Sequence, residues 1–353
     1  MAPGRAERSR GHRRRAGFVL PFVVVAAALI AVLGFTAITT SWRAVRAARL
    51  AASGVRAQFA ADEGLALHLD AWPAESVTAL ALGTTHTSRL TTQIGDPIAV
   101  RLTRTHPLVA WVSAEVTLKP SGSVAAVQRQ VTRVVALDPP SLPVIGALTA
   151  IGTVHVAELT TIAGQDQTDT GDACGPLRDT RAVPPIAAAM VSAPAHAERG
   201  EPAFLRLSDT TRVRAAFEAA WPAILARSAV RHAEGNVSGL PQMPGWHARV
   251  LNGPQVAVPS PARWRGLLAI SGDLVVGGSL DVEGVLVVRG RLDARRASLR
   301  VRGAVVVASH GHPDVELGDH TRMQFDRCAV LMALATVAQP RSAPFFLWVH
   351  PAL

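Results

Sequence analysis

The feature that most constrains the fold is an uninterrupted stretch, residues 16–42, that contains no charged side chain. A helix that crosses the hydrocarbon core of a bilayer needs about 20 apolar residues, so this stretch is long enough to span it. It is longer than the apolar region of a signal peptide. No A-x-A cleavage site follows, because Phe35 occupies the third position before a cut after Ala37. The sequence therefore predicts a transmembrane helix.

The positive charge of the chain lies beside this stretch. The net charge is +10, and residues 1–60, with ten arginines and one glutamate, carry +9 of it. The rest of the chain carries +1, which argues against a basic surface for nucleic acid and predicts no nucleic-acid partner. The arginines of residues 1–15 predict a cytoplasmic N-terminus by the positive-inside rule. We therefore expect a single-pass protein of the inner (cytoplasmic) membrane, with the lipid bilayer as a partner and its bulk outside the cytoplasm.

Helix-forming residues continue beyond the apolar stretch. Residues 43–70 are rich in Ala, Leu and Arg, which favour helices. We expect one helix over about residues 17–70, half of it in the membrane, and assign residues 1–15 to a basic leader and 16–71 to the helical segment.

Two pieces of this segment resemble a known family. Residues 16–21 (AGFVLP) follow a basic cluster, and residues 58–65 read QFAADEGL. Together they resemble the N-terminal region of the PilX-like minor pilins, a family of type IV pilus accessory proteins. The resemblance extends over residues 16–65 and implies that prepilin peptidase cuts after Gly17 and leaves Phe18 as the new N-terminus.

The sequence departs from the pilin pattern at one position. Major pilins carry a glutamate at the fifth mature position, where this chain has Phe22. That difference puts regular incorporation into a filament in doubt. A plain single-span anchor that is never cleaved is the alternative interpretation of the same residues.

Residues 72–140 are predicted to form a β-rich domain with an antiparallel sheet. Runs rich in Val, Thr and Leu alternate with turn signals such as Asp96-Pro97 and the Pro-Ser-Gly-Ser sequence of residues 120–123. Residues 141–262 are predicted to be loop-rich with one helix at about 207–232, in which Pro222 is expected to produce a kink or a break. The overall prediction is a membrane-anchored α+β protein.

A six-residue repeat occupies the C-terminal part of the chain. Leucine recurs at positions 274, 280, 286 and 292, followed by Val or Ala two residues later and by glycine at 278, 284 and 290. The regular spacing predicts a short β-solenoid-like region over residues 263–335, with an antiparallel meander as the alternative. The repeat, and residues 323–330, predicted as a strand, also resemble the C-terminal portions of large PilX-like proteins. Residues 336–353 are assigned to a tail.

The sequence contains one incomplete match to a metal-binding motif. His310, His312 and Asp314 partly match the H-x-H-x-D-H zinc motif of metallo-β-lactamase-fold hydrolases, but Val315 replaces its last histidine, and little sequence follows to supply further ligands. We expect a polar loop here, no metal, no cofactor, no catalytic residues and no enzymatic activity, and keep a zinc hydrolase as the least favoured alternative.

The two cysteines, Cys174 and Cys328, both follow the membrane segment. Outside the cytoplasm they would lie in an oxidising space and are candidates for a disulfide, with two separate buried thiols as the alternative.

These observations favour a structural, non-enzymatic envelope protein. We expect a minor-pilin-like component of a type IV pilus or a related secretion assembly, with other pilin-like or pilus assembly subunits as partners. The alternative is a single-span surface protein whose solenoid presents a binding face.

Overall fold

The computed structural model describes residues 19–72, 74–119, 126–166, 187–194, 204–232, 235–236, 240, 245–308 and 314–347. The chain divides into two compact units. The first comprises Met1–Ala57 and Thr117–Gln128, and the second comprises Gln58–Val116 and Arg129–Leu353.

The N-terminal element is a single helix, α1 (Val19–Asp70), of 52 residues. At 1.5 Å per residue it is about 78 Å long. No charged residue occurs in its residues 19–42, and Pro21 lies in the first turn, where a missing N–H costs little. The predicted long helix is therefore present, and its apolar part is long enough to cross a membrane.

An antiparallel sheet follows a short helix, α2 (Ala74–Ala79). Its strands are β1 (Thr85–Thr91), β2 (Pro97–His106), β3 (Val109–Leu118), β4 (Val127–Asp138) and β20 (Gln339–Leu347). They lie in the order β1-β2-β3-β4-β20. In β2 and β3 buried and more exposed residues alternate, as expected for strands with one face against a core.

The last of these strands corrects the prediction for the C-terminus. The sequence predicts a tail over residues 336–353, but β20 pairs with β4 as an edge strand of this sheet. The two strands are far apart in the chain, because the whole of the second sheet is built from the residues between them. A local pattern does not reveal such a partner.

The second sheet has 15 strands, and all of its described pairs are parallel. Much of it falls within residues 141–262, which the sequence predicts to be loop-rich. Its strands are β5 (Gly146–Val156), β6 (Thr161–Ala163), β7 (Ala187–Pro194), β8 (Phe204–Arg206), β9 (Ala229–His232), β10 (Gly235–Asn236), β11 (His247–Asn252), β12 (Gln255–Val258), β13 (Ala262–Ile270), β14 (Asp273–Val276), β15 (Ser279–Val288), β16 (Leu292–Ala294), β17 (Ser298–Ala308), β18 (Asp314–Leu317) and β19 (Arg322–Gln324).

The hexad repeat has a different structural meaning from the one predicted. Ala262 pairs with Leu280, and Leu280 pairs with Leu299, so each strand pairs with the segment about three hexads further along the chain. The antiparallel alternative is excluded for these strands. The predicted short solenoid is also wrong, because the sheet is not confined to residues 263–335. Strand β5, from much earlier in the chain, pairs with both β17 and β18 and joins two rows of strands into one sheet.

Three glycines in register allow the strands to pack closely. Gly266 pairs with Gly284, and Gly284 pairs with Gly303. All three have positive φ, at 125°, 137° and 139°, a conformation that other residues rarely adopt. A Cβ on Gly284 would also collide with the carbonyl oxygen of Gly266. This column therefore requires glycine on both conformational and steric grounds.

Two helices pack against the parallel sheet. The predicted helix near residue 207 is α3 (Thr210–Arg227), which begins at the N-cap Asp209 and continues through Pro222 without a break. The second, α4 (Arg327–Ala335), contacts β13, β15 and β17. The prediction of a strand over residues 323–330 is wrong beyond Gln324, because Asp326 caps α4 by accepting a hydrogen bond from Ala329 N at 2.9 Å.

Candidate functional site

The first functional feature is the apolar part of α1. Its large side chains are mostly exposed: Leu20 is 74% exposed, Phe22 76% and Phe35 70%. None of the most apolar stretch of the helix is buried against other described residues. A continuous apolar surface of this length is unfavourable in water and fits the hydrocarbon core of a bilayer.

The three threonine hydroxyl groups in this part of α1 are satisfied within the helix. The Thr36 hydroxyl donates to Leu33 O at 2.9 Å, the Thr39 hydroxyl to Thr36 O at 3.0 Å, and the Thr40 hydroxyl to Thr36 O at 2.8 Å. Hydroxyl groups that bond to helix carbonyls leave no unpaired donor to the lipid. The three threonines are therefore compatible with a membrane environment.

The second functional feature is the part of α1 that belongs to the second unit, residues 58–70. Its buried positions recur at helical spacing and face the antiparallel sheet. Gly64 lies directly against the sheet, because a Cβ at this position would be 2.5 Å from Ile98 Cδ1 in β2. The buried residues of this segment are Ala60, Ala61, Gly64, Leu65 and His68.

Polar contacts fix this packing at its edges. The Arg133 guanidinium of β4 donates to Asp62 Oδ1 at 3.3 Å, and Gln58 donates to Asp62 Oδ2 at 3.2 Å. Gln93 N, between β1 and β2, donates to Glu63 Oε1 at 3.0 Å. Residues 58–65, which carry the pilin resemblance, therefore hold α1 against the sheet through both acids and the glycine.

A buried cation lies on the same strand as Ile98. Arg104 is fully buried, and its guanidinium donates to Thr78 O at 3.1 Å in α2 and to Pro107 O at 3.0 Å. It also lies 3.0 Å from Met332 Sδ in α4. Burial lowers the pKa of Arg104 to about 10. This side chain ties the antiparallel sheet to two helices through neutral acceptors.

The alternation of β2 indicates from the sequence that Arg104 is buried, although no functional motif contains this residue. Ile98, Val100 and Leu102 are buried at two-residue spacing. The next inward position is 104, so an arginine there is a charged residue in a core register. Such a residue needs buried partners, which the structure supplies from α2 and from the turn after β2.

A buried histidine lies at the end of the packed segment of α1. His68 is buried and meets Trp72 edge to face, with 6.3 Å between the ring centroids. Burial, with a smaller contribution from the nearby His86, lowers the pKa of His68 below its usual value of 6.5. The neutral imidazole is therefore the form that the folded state favours.

The other site predictions fall mostly outside the described residues. Gly17, Phe18, Cys174, His310 and His312 all lie there. Asp314 opens β18, and no cluster of three metal-ligating side chains occurs in the part of the chain that the structure describes. Cys328 is buried in the first turn of α4. The cleavage position, the disulfide and the polar interpretation of the histidine loop stay predictions.

No protein-family model matches the sequence, and no curated protein matches it. Among solved structures, the chain is similar to the crystal structure of the competence-associated pilin ComZ from Thermus thermophilus. The two are 12% identical, the match covers 83% of this chain and 96% of that chain, and the TM-score is 0.20. A similarity at this TM-score carries no argument about the fold or function of this chain.

Proposed function

We propose that this chain is a structural, non-enzymatic subunit with a pilin-like plan, anchored in the inner membrane by α1. The division of α1 into two parts is the observation that carries the proposal. Residues 20–42 expose their apolar side chains, whereas residues 58–70 bury one face on an antiparallel sheet. One helix that both enters a membrane and forms part of a folded domain is the arrangement that the pilin resemblance implies.

The direction of insertion follows from the charges. The arginines of residues 1–15 favour a cytoplasmic N-terminus. The sheets follow α1 in the chain, so they would lie on the outer side. The other end of the apolar part is flanked by Arg43, Arg46 and Arg49, which favour the opposite direction. They are fewer than the arginines of residues 1–15, so the cytoplasmic N-terminus stays favoured.

The proposed partners are other pilin-like or pilus assembly subunits, which would pack against the apolar part of α1. Small residues at positions 26–28, 31 and 34 allow helices to approach closely in a membrane. Around Gly34, nothing lies within 4 Å of the position that a Cβ would take, so a neighbouring helix has space there. A PilX-like accessory role in a type IV pilus or a related secretion assembly is the specific form of this proposal.

Site-specific photo-crosslinking tests the partner. A photoreactive residue at Phe35, which is exposed on α1, should capture pilin-like subunits in cells that assemble type IV pili. The matched control is Ile94, which is similarly exposed between β1 and β2 and should capture none of them. Lipid adducts alone from Phe35 would support the plain membrane anchor, which the replacement of the pilin glutamate by Phe22 favours, and would contradict assembly.

A further inference from the structure

The outer face of the parallel sheet carries columns of charged side chains in register. Arg263 of β13 pairs with Asp281 of β15, which pairs with Arg300 of β17, which pairs with Arg322 of β19. Adjacent strands lie about 4.8 Å apart, so neighbouring side chains in a column are close. Opposite charges across strands stabilise a sheet, whereas like charges destabilise it.

Several arginines on this face lie next to a carboxylate of opposite charge. Arg263 contacts Asp281 at 3.4 Å, and in the next column Arg265 contacts Glu283 at 3.2 Å. Arg302 of β17 meets Asp326 at 2.7 Å. The arginines at these positions therefore have carboxylates beside them on an adjacent strand or at the start of α4.

Arg300 and Arg322 are the exception. They are direct register partners, both are exposed, and neither has an ion pair or a side-chain hydrogen bond among the described residues. Asp281, the nearest acid in the column, bonds to Arg263 on its other side. Among the described residues, two guanidinium groups thus lie on adjacent strands without a carboxylate bonded to either of them.

A groove lies beside Arg300. It has a volume of about 310 Å³ and is lined at the starts of β13, β15 and β17. Its lining includes the register partners Ser279 and Ser298, and it also includes Arg263, Asp281 and Arg300. Among the described residues, the Ser298 hydroxyl donates only one long hydrogen bond, 3.4 Å, to His320 O, so it can turn to a ligand at little cost.

We propose that Arg300, Arg322 and the Ser298 hydroxyl bind a phosphate group. Guanidinium groups recognise phosphate oxygens through paired hydrogen bonds, and the negative charge of the phosphate would reduce the repulsion between the two arginines. The phosphate can be free inorganic phosphate or the headgroup of an anionic phospholipid, because both present the same oxygens. This proposal is independent of the pilin-like role.

Binding by the full chain in a neutral detergent tests the proposal, with two probes. The first is inorganic phosphate, and the second is short-chain phosphatidylglycerol, with phosphatidylcholine as the zwitterionic comparison. Affinities are measured by calorimetry at fixed ionic strength, because binding to arginine weakens with salt. The test variant is Arg300→Gln/Arg322→Gln, and the matched control is Arg265→Gln, whose side chain is also exposed but is paired with Glu283 and does not line the groove.

The double variant should lose at least about tenfold in affinity for whichever probe binds, which corresponds to about 1.4 kcal/mol, and Arg265→Gln should lose less than about twofold. Binding of both probes indicates a general phosphate site, and binding of phosphatidylglycerol alone identifies a lipid headgroup as the source. Failure of both probes to bind, or equal losses in the test and control variants, would overturn the proposal.

Discussion

Gly64 of α1 lies directly against Ile98 of β2. A Cβ on Gly64 would be 2.5 Å from Ile98 Cδ1 and 2.8 Å from Ile98 Cγ2, which is closer than side chains can approach without a shift. The contact brings the helix to the antiparallel sheet at the point where the flanking acids, Asp62 and Glu63, make their bonds. The packing of this part of α1 therefore depends on the absence of a side chain at position 64.

Replacement of this glycine should loosen the helix from the sheet. Gly64→Ala should lower the free energy of unfolding by about 1–3 kcal/mol, the usual cost of overpacking a core. The measurement is urea unfolding of the full chain in a neutral detergent. Gly34→Ala is the matched control in the same helix, where nothing lies within 4 Å of the added Cβ, and it should leave the unfolding midpoint unchanged or raise it.

The glycine column of the parallel sheet provides a second test. Gly284→Ala should cost more than about 2 kcal/mol of unfolding free energy, because the new Cβ would meet the Gly266 carbonyl and the residue would keep a φ of +137°. Gly277→Ala is the control, since its Cβ would come no closer than 3.5 Å to Pro259 Cα. Equal midpoints for the two variants would contradict the steric account of the column.

Loss of the buried guanidinium should destabilise the second unit. Arg104→Met should lower the free energy of unfolding by about 2–3 kcal/mol, because it removes the buried hydrogen bonds that the guanidinium donates to the carbonyls of Thr78 and Pro107. Arg101→Met, on the same strand but 54% exposed and paired with Glu115, should change it by less than about 1 kcal/mol. If the two variants unfold at the same urea concentration, Arg104 does not hold the helices as described.

The stability of the second unit should fall at mildly acidic pH through His68. Its pKa in the folded state lies below 6.5, so the unfolded chain takes up the proton first as the pH falls. The contribution of neutral His68 is therefore fully present above pH 6.5 and is lost as the pH drops towards the folded-state value. His68→Gln should show a smaller loss of stability between pH 7.5 and pH 5.5. Parallel curves for the two proteins would contradict this assignment.

Elements with local signals are predictable from the sequence. The uncharged stretch of residues 16–42 predicts the apolar part of α1, and the alternation in β2 and β3 predicts the antiparallel sheet. The rest depends on contacts between distant segments. Strand β20 completes the antiparallel sheet and β5 joins the rows of the parallel sheet, and neither pairing leaves a pattern in its own segment.

Two signals are present in the sequence but indicate something other than the predicted structure. The six-residue spacing of Leu274 and Leu280 predicts a structural unit of six residues. Paired strands are instead separated by about three times that number of residues along the chain. Asp326 lies within a predicted strand, although an aspartate three residues before Ala329 is a good N-cap signal. The repeat therefore marks strands of the sheet but not the distance between paired strands, and Asp326 marks the start of a helix where a strand is predicted.

Processing of the N-terminus tests the pilin-like proposal most directly. The full chain is produced in a strain with active prepilin peptidase and in a matched strain with an inactive peptidase, and the N-terminus of the membrane-extracted protein is determined by mass spectrometry. Gly17→Leu serves as the uncleavable control. The proposal predicts a mature chain that begins at Phe18 only where the peptidase is active. An intact leader, residues 1–17, in both strains would contradict it.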